Sequence, residues 1–128
     1  MKTLDKKNII GVAALLVHAA KIDEIYSEKE KILIKDFISS YLNEGNFDEI
    51  LKSAEELEKN SNQLLNFTNI IKKENNEIKS DIIRHLWKII ISDKNVDLYE
   101  SNLMRRICGL IYFPDKMSAE IKLQILKN

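Results

Sequence analysis

Glycine and proline are scarce in this sequence, which has 3 glycines and 1 proline among its 128 residues. A β-sandwich or barrel needs many more turn residues, so this scarcity disfavours an all-β fold. The single cysteine, Cys108, excludes an internal disulfide and disfavours a cysteine-based zinc site within one chain. Lysine plus arginine and aspartate plus glutamate number 20 each, so the basic excess of a dedicated nucleic-acid binder is missing.

What the sequence does contain is typical of a helical protein. Residues 1–128 fit one domain, and the 45% of hydrophobic residues follows helical spacing in most segments. We predict an all-α, single-domain bundle of about seven helices. The first (about 4–21) and the fifth (about 76–92) are apolar nearly all round, which places them at the centre of the bundle. Candidate N-caps open four of the others: Ser27, Asn46, Asp97 and Ser118.

The apolar run from Ile9 to Ala20 follows three lysines, which is crudely the plan of a secretory signal. The run is too short to span a bilayer, for which a helix needs about 20 apolar residues. The same arrangement of an apolar helix and an acidic turn also recurs deep in the chain. We therefore interpret the run as a core helix and expect a cytoplasmic protein without stable membrane insertion.

The recurrence is an internal repeat. When Asp23 is aligned with Asp93, Ser27 falls on Asp97 and Glu30 falls on Glu100. In each copy an apolar helix leads into an acidic turn, and a helix with the spacing of a capping box follows. We predict two pseudo-symmetric helix–acidic turn–helix halves, at about 4–60 and 76–128.

These segments resemble the TerB-like family, which includes tellurite-resistance TerB proteins and the N-terminal region of DjlA-type co-chaperones. The resemblance is carried by Ala13–Val17 with Asp23 and Glu30 in the first half, and by Leu86–Lys88 with Asp93, Asp97 and Glu100 in the second. It implies an all-helical bundle without catalytic activity, with an acidic surface proposed to take divalent cations in stress-response complexes. The sequence departs from the family where Glu24 and Lys94 stand in place of glycine.

The acidic turns are the candidate site. Oxygen side chains at alternate positions of a short turn are the ligands that a hard cation such as Ca²⁺ prefers. The predicted metal ligands are Asp93, Asn95, Asp97 and Glu100 in the second turn, either alone or jointly with Asp23 and Glu30 of the first. A purely structural interpretation stays open beside this one, because the same residues have the spacing of helix caps and capping boxes.

No group of residues in the sequence suggests a catalytic site. We interpret His18 and His85 as satisfied or semi-buried histidines and Cys108 as a buried thiol, because no base or second ligand lies at a suitable spacing. Two functions therefore remain: a TerB-like module regulated by a divalent cation, or a metal-free, co-chaperone-like helical module that binds a protein partner. Neither involves nucleic acid.

Overall fold

A computed structural model describes residues 4–22, 26–42, 45–92 and 98–127, apart from the side chains of residues 98 and 99. Within these ranges the chain forms seven helices and no strand, which confirms the predicted all-α bundle. The relation between its two halves stays a prediction. The helices are α1 (Lys6–Ala20), α2 (Glu28–Tyr41), α3 (Phe47–Asn60), α4 (Leu65–Lys72), α5 (Asn76–Ile91), α6 (Leu98–Ile111) and α7 (Asp115–Lys127).

Helix α1 is the centre of the bundle, as its apolar composition predicts. It packs against α2, α3, α4 and α5, and from Ile9 to Ala20 only Ile10 and His18 are partly exposed. Helix α5 packs against α1, α2, α6 and α7 and so joins the two ends of the sequence. Within the described ranges, no helix is long and apolar enough to cross a membrane.

Among the residues that the structure describes, polar caps start four of the helices, and the predicted cap Asp97 lies outside these residues. In each case the cap side chain accepts a hydrogen bond from the backbone N–H three residues further on, which satisfies one of the donors that a helix start leaves unpaired. The caps of α1, α2, α3 and α5 are Asp5, Ser27, Asn46 and Asn75. The predictions for Ser27 and Asn46 are therefore confirmed.

The prediction that Ser118 caps the last helix is wrong. Helix α7 begins at Asp115, directly after Pro114, and Ser118 lies inside its first turns. The side chain of Ser118 is buried, and its Oγ accepts a hydrogen bond of 2.9 Å from Nε1 of Trp87. Its polar atom therefore serves a partner 31 residues earlier in the chain, and no local pattern could have shown that contact.

Tyr112 ends α6 in a left-handed backbone conformation, with φ of 59°. The N–H of Phe113 donates to the carbonyl of Cys108 at 2.9 Å, and the N–H of Tyr112 donates to the carbonyl of Gly109 at 3.4 Å. This pair of bonds is the Schellman motif, whose left-handed position is usually glycine. A tyrosine there carries a steric strain that glycine would not have.

We expect Tyr112→Gly to be more stable than Tyr112→Ala by about 1 kcal/mol, since both variants remove the ring and only glycine relieves the strain. The alanine variant is the matched control because it also removes the contact between the ring and the Lys72 ammonium, 4.9 Å from the ring centroid. Urea unfolding of both variants measures the difference. Equal stability of the two variants would show that the left-handed conformation carries no strain.

Candidate functional site

The structure describes two of the six predicted metal ligands, Glu30 and Glu100. The other four, Asp23, Asp93, Asn95 and Asp97, lie outside the described residues. Glu30 is 5% exposed and Glu100 is 3% exposed, and each lies in the first turn of the helix that follows its acidic turn. Such burial is uncommon for glutamate, because a carboxylate removed from water needs hydrogen bonds or a cation to compensate its charge.

At the first acidic turn, the hydrogen bonds that hold the Glu30 carboxylate are described. Oε1 of Glu30 accepts hydrogen bonds from the backbone N–H of Ser27 at 2.8 Å and from its hydroxyl at 3.1 Å. The Ser27 Oγ in turn accepts from the N–H of Glu30 at 3.2 Å. This reciprocal pair is the predicted capping box, which is confirmed, and it fixes the direction in which the chain leaves the turn.

The edges of the two turns lie close to each other. Nζ of Lys29, in the first turn of α2, donates a 3.0 Å hydrogen bond to the backbone carbonyl of Ser92. Ser92 is the last described residue before the second acidic turn, and Lys29 comes two residues after the Ser27 cap. The end of one turn is thus within a lysine side chain's length of the start of the other. No sequence pattern indicated this contact, which joins residues 63 positions apart.

Tyr26 anchors the described end of the first turn. Two ammonium groups lie near its ring, with Nζ of Lys31 at 5.0 Å and Nζ of Lys21 at 5.9 Å from the centroid. The buried hydroxyl has no partner in hydrogen-bonding geometry among the described residues. Burial raises the pKa of Tyr26 far above its ordinary value, and the nearby carboxylate of Glu55 raises it further. Tyr26 is therefore a neutral side chain that lies close to Lys31 of α2 and Glu55 of α3.

His18, His85 and Cys108 are packed against other side chains of the bundle. Nδ1 of His18 lies 3.3 Å from Oε2 of Glu58, and the His85 ring meets the Phe37 ring edge to face at 5.2 Å. Cys108 is 1% exposed, and burial raises the pKa of its thiol. These observations confirm the interpretation of all three residues as semi-buried or buried groups.

The described part of the acidic turns supplies carboxylate oxygens, which are ligands for hard cations. Among the described residues, no three or more histidine, cysteine, aspartate or glutamate side chains gather closely enough to hold a metal ion. A complete ligand set therefore needs residues from 23–25 or 93–97, where the sequence places three aspartates and Asn95. The donor types fit Ca²⁺ or Mg²⁺ better than a soft metal, because no thiolate is among them.

The chain was also compared with known proteins. A family model described as tellurite resistance protein TerB matches residues 10–123, which include both acidic turns. Comparisons with curated proteins and with solved structures find no match. The family match covers most of the chain and agrees with the resemblance seen in Ala13–Val17 and Leu86–Lys88. This protein therefore belongs to the TerB family.

Proposed function

We propose that this protein is a non-enzymatic TerB-like binding module of the cytoplasm, in a stress-response or tellurite-resistance-related setting. Its two acidic turns would together hold a divalent cation such as Ca²⁺. The observation that carries the proposal is the 3.0 Å hydrogen bond from Lys29 to Ser92, because it joins the edges of the two turns.

The burial of Glu30 and Glu100 supports the same proposal. The sequence repeat aligns these two residues, and both are almost fully buried. A capping box needs only a hydrogen-bond acceptor at this position, and either Glu or Gln supplies one. Cation binding needs the negative charge as well, since the charge of the ligands sets the affinity for Ca²⁺. The proposed ligands are Asp93, Asn95, Asp97 and Glu100, with Asp23 and Glu30 contributed by the first turn.

The absence of enzymatic activity is part of the proposal. Cys108 is the only cysteine, and its burial and raised pKa make it a poor nucleophile at neutral pH. His85 is enclosed between α2 and α5, where it contacts Phe37 and lies 3.7 Å from Asp81. These environments are typical of residues that stabilise a fold.

We expect the thermal midpoint to rise by about 10 °C when the preferred ion is present at 100 times its dissociation constant, which corresponds to about 2.7 kcal/mol. Melts in EDTA and then in Ca²⁺, Mg²⁺, Mn²⁺ or Zn²⁺ measure the shift. Glu100→Gln should remove most of it, because glutamine keeps the capping acceptor and loses the charge. Glu30→Gln should reduce it by the same reasoning.

Glu49→Gln is the matched control for these variants. Glu49 also occupies the third position of a capped helix, α3, but it is exposed and lies in neither acidic turn. It should keep the full ion-dependent shift. The acidic turns are only helix caps if no ion raises the thermal midpoint. The same conclusion follows if the ion raises the midpoints of Glu100→Gln and Glu49→Gln equally. The metal-free module that binds a protein partner then becomes the better account.

A further inference from the structure

A cleft of about 530 Å³ opens at a place that the proposed cation site does not use. Residues of α1, α3, α4 and α6, together with the link between α3 and α4, line it. Its apolar lining includes Leu65, which is 45% exposed, and Leu64, Phe67 and Leu103, which are each less than a tenth exposed. This volume falls in the range of small-molecule sites, which are typically apolar clefts with a few polar groups that orient the ligand.

One wall of the cleft carries a carboxylate whose charge is already compensated. Oε1 of Glu58 accepts a 2.8 Å hydrogen bond from Nζ of Lys21, and its Oε2 lies 3.3 Å from Nδ1 of His18. Burial pushes the pKa of Glu58 upward, but the bonds to Lys21 and His18 outweigh burial and hold the pKa below its ordinary value. Glu58 is therefore ionised at neutral pH and paired with the lysine, so it exerts little net attraction on a ligand cation.

The other wall carries a cation without such compensation. Arg106, on α6, lines the cleft and is exposed, and among the described residues it forms no ion pair. A guanidinium presents a planar set of donors that matches the two oxygens of a carboxylate. Because Glu58 and Lys21 offset each other, the charge that a ligand meets in the cleft is that of Arg106.

We infer that this cleft binds a small organic anion, whose apolar body packs mainly on Leu65, beside Leu64, Phe67 and Leu103, and whose carboxylate pairs with Arg106. The cleft shares no residue with the acidic turns, so anion binding in the cleft does not depend on cation binding at the turns. The lining side chains of Ser61 and Asn62 can hydrogen-bond further polar groups of the ligand.

An NMR titration of the full chain with 3-phenylpropionate tests the inference, because this probe has an aromatic body and one carboxylate. We expect saturable shifts centred on the amides of Leu64, Phe67 and Leu103. The neutral amide of the same acid should bind about tenfold more weakly, since one charge-assisted hydrogen bond is lost. Arg106→Gln should weaken binding of the acid by a similar factor.

Arg105→Gln is the matched control. Arg105 is the neighbouring exposed arginine on α6 and does not line this cleft, so its loss should leave the affinity within about twofold. The inference is overturned if the shifts do not saturate, or if they centre elsewhere in the chain. Equal weakening by both arginine variants would also overturn it, because long-range attraction alone would then explain binding. Tighter binding of 3-phenylpropylamine would show that Glu58, and not Arg106, sets the charge of the cleft.

Discussion

Replacing Leu86 with alanine is expected to lower the free energy of unfolding by about 3 kcal/mol. Leu86 is fully buried on α5, the helix that packs against α1, α2, α6 and α7. Truncation there removes apolar contacts and leaves a cavity that a closely packed interior cannot fully close. Urea unfolding followed by circular dichroism gives the free energy directly.

Leu123→Ala is the matched control for this prediction. It is the same substitution on α7, but the Leu123 side chain is 55% exposed, so the expected loss is below about 0.5 kcal/mol. A loss of similar size in both variants would contradict the placement of α5 at the centre of the bundle.

Replacing Ser118 with alanine should cost about 2 kcal/mol, because it leaves the N–H of Trp87 buried without an acceptor. Trp87 and Ser118 are 6% and 5% exposed, so the hydrogen bond between them is largely shielded from water. Chemical unfolding of the single variant measures the total cost of the substitution.

A double-mutant cycle then separates the hydrogen bond from any other effect of Ser118→Ala. In a Trp87→Phe background no N–H remains to be satisfied, and the serine substitution should cost less than about 0.5 kcal/mol. An equal cost in both backgrounds would mean that the bond between Trp87 and Ser118 contributes nothing to stability.

Local rules predicted much of this fold. The caps Ser27 and Asn46 depend on residues three positions away, so their partners can be read from the sequence. The central position of α1 follows from its composition, since a helix that is apolar all round is stable only when other helices surround it.

Contacts between distant segments could not be predicted in the same way. Ser118 is a residue type that often caps helices, yet its hydroxyl accepts a hydrogen bond from Trp87. Only the packing of α7 on α5 brings the two residues together. The left-handed Tyr112 is equally hidden, because the usual signal for that position is glycine.

In the candidate site, too, local features could be predicted from the sequence, whereas burial and contacts between distant segments could not. Sequence spacing predicted the capping box of Glu30 and placed Glu100 in the first turn of a helix. It did not predict that both carboxylates would be buried, or that Lys29 would reach the end of α5. The cleft beside Arg106 could not be predicted, because its walls come from four helices that lie far apart in the sequence.

We propose that the two acidic turns hold one cation between them. Mn²⁺, added well below one equivalent, broadens the NMR signals of nearby nuclei and therefore tests this claim most directly. If the cation is shared, the amide signals of Ser27 and Glu30 should be lost selectively together with those of Ser92 and Glu100. EDTA should reverse the loss, and Glu100→Gln should show no selective loss. Broadening at neither turn, or equal broadening in Glu100→Gln, would contradict the proposal.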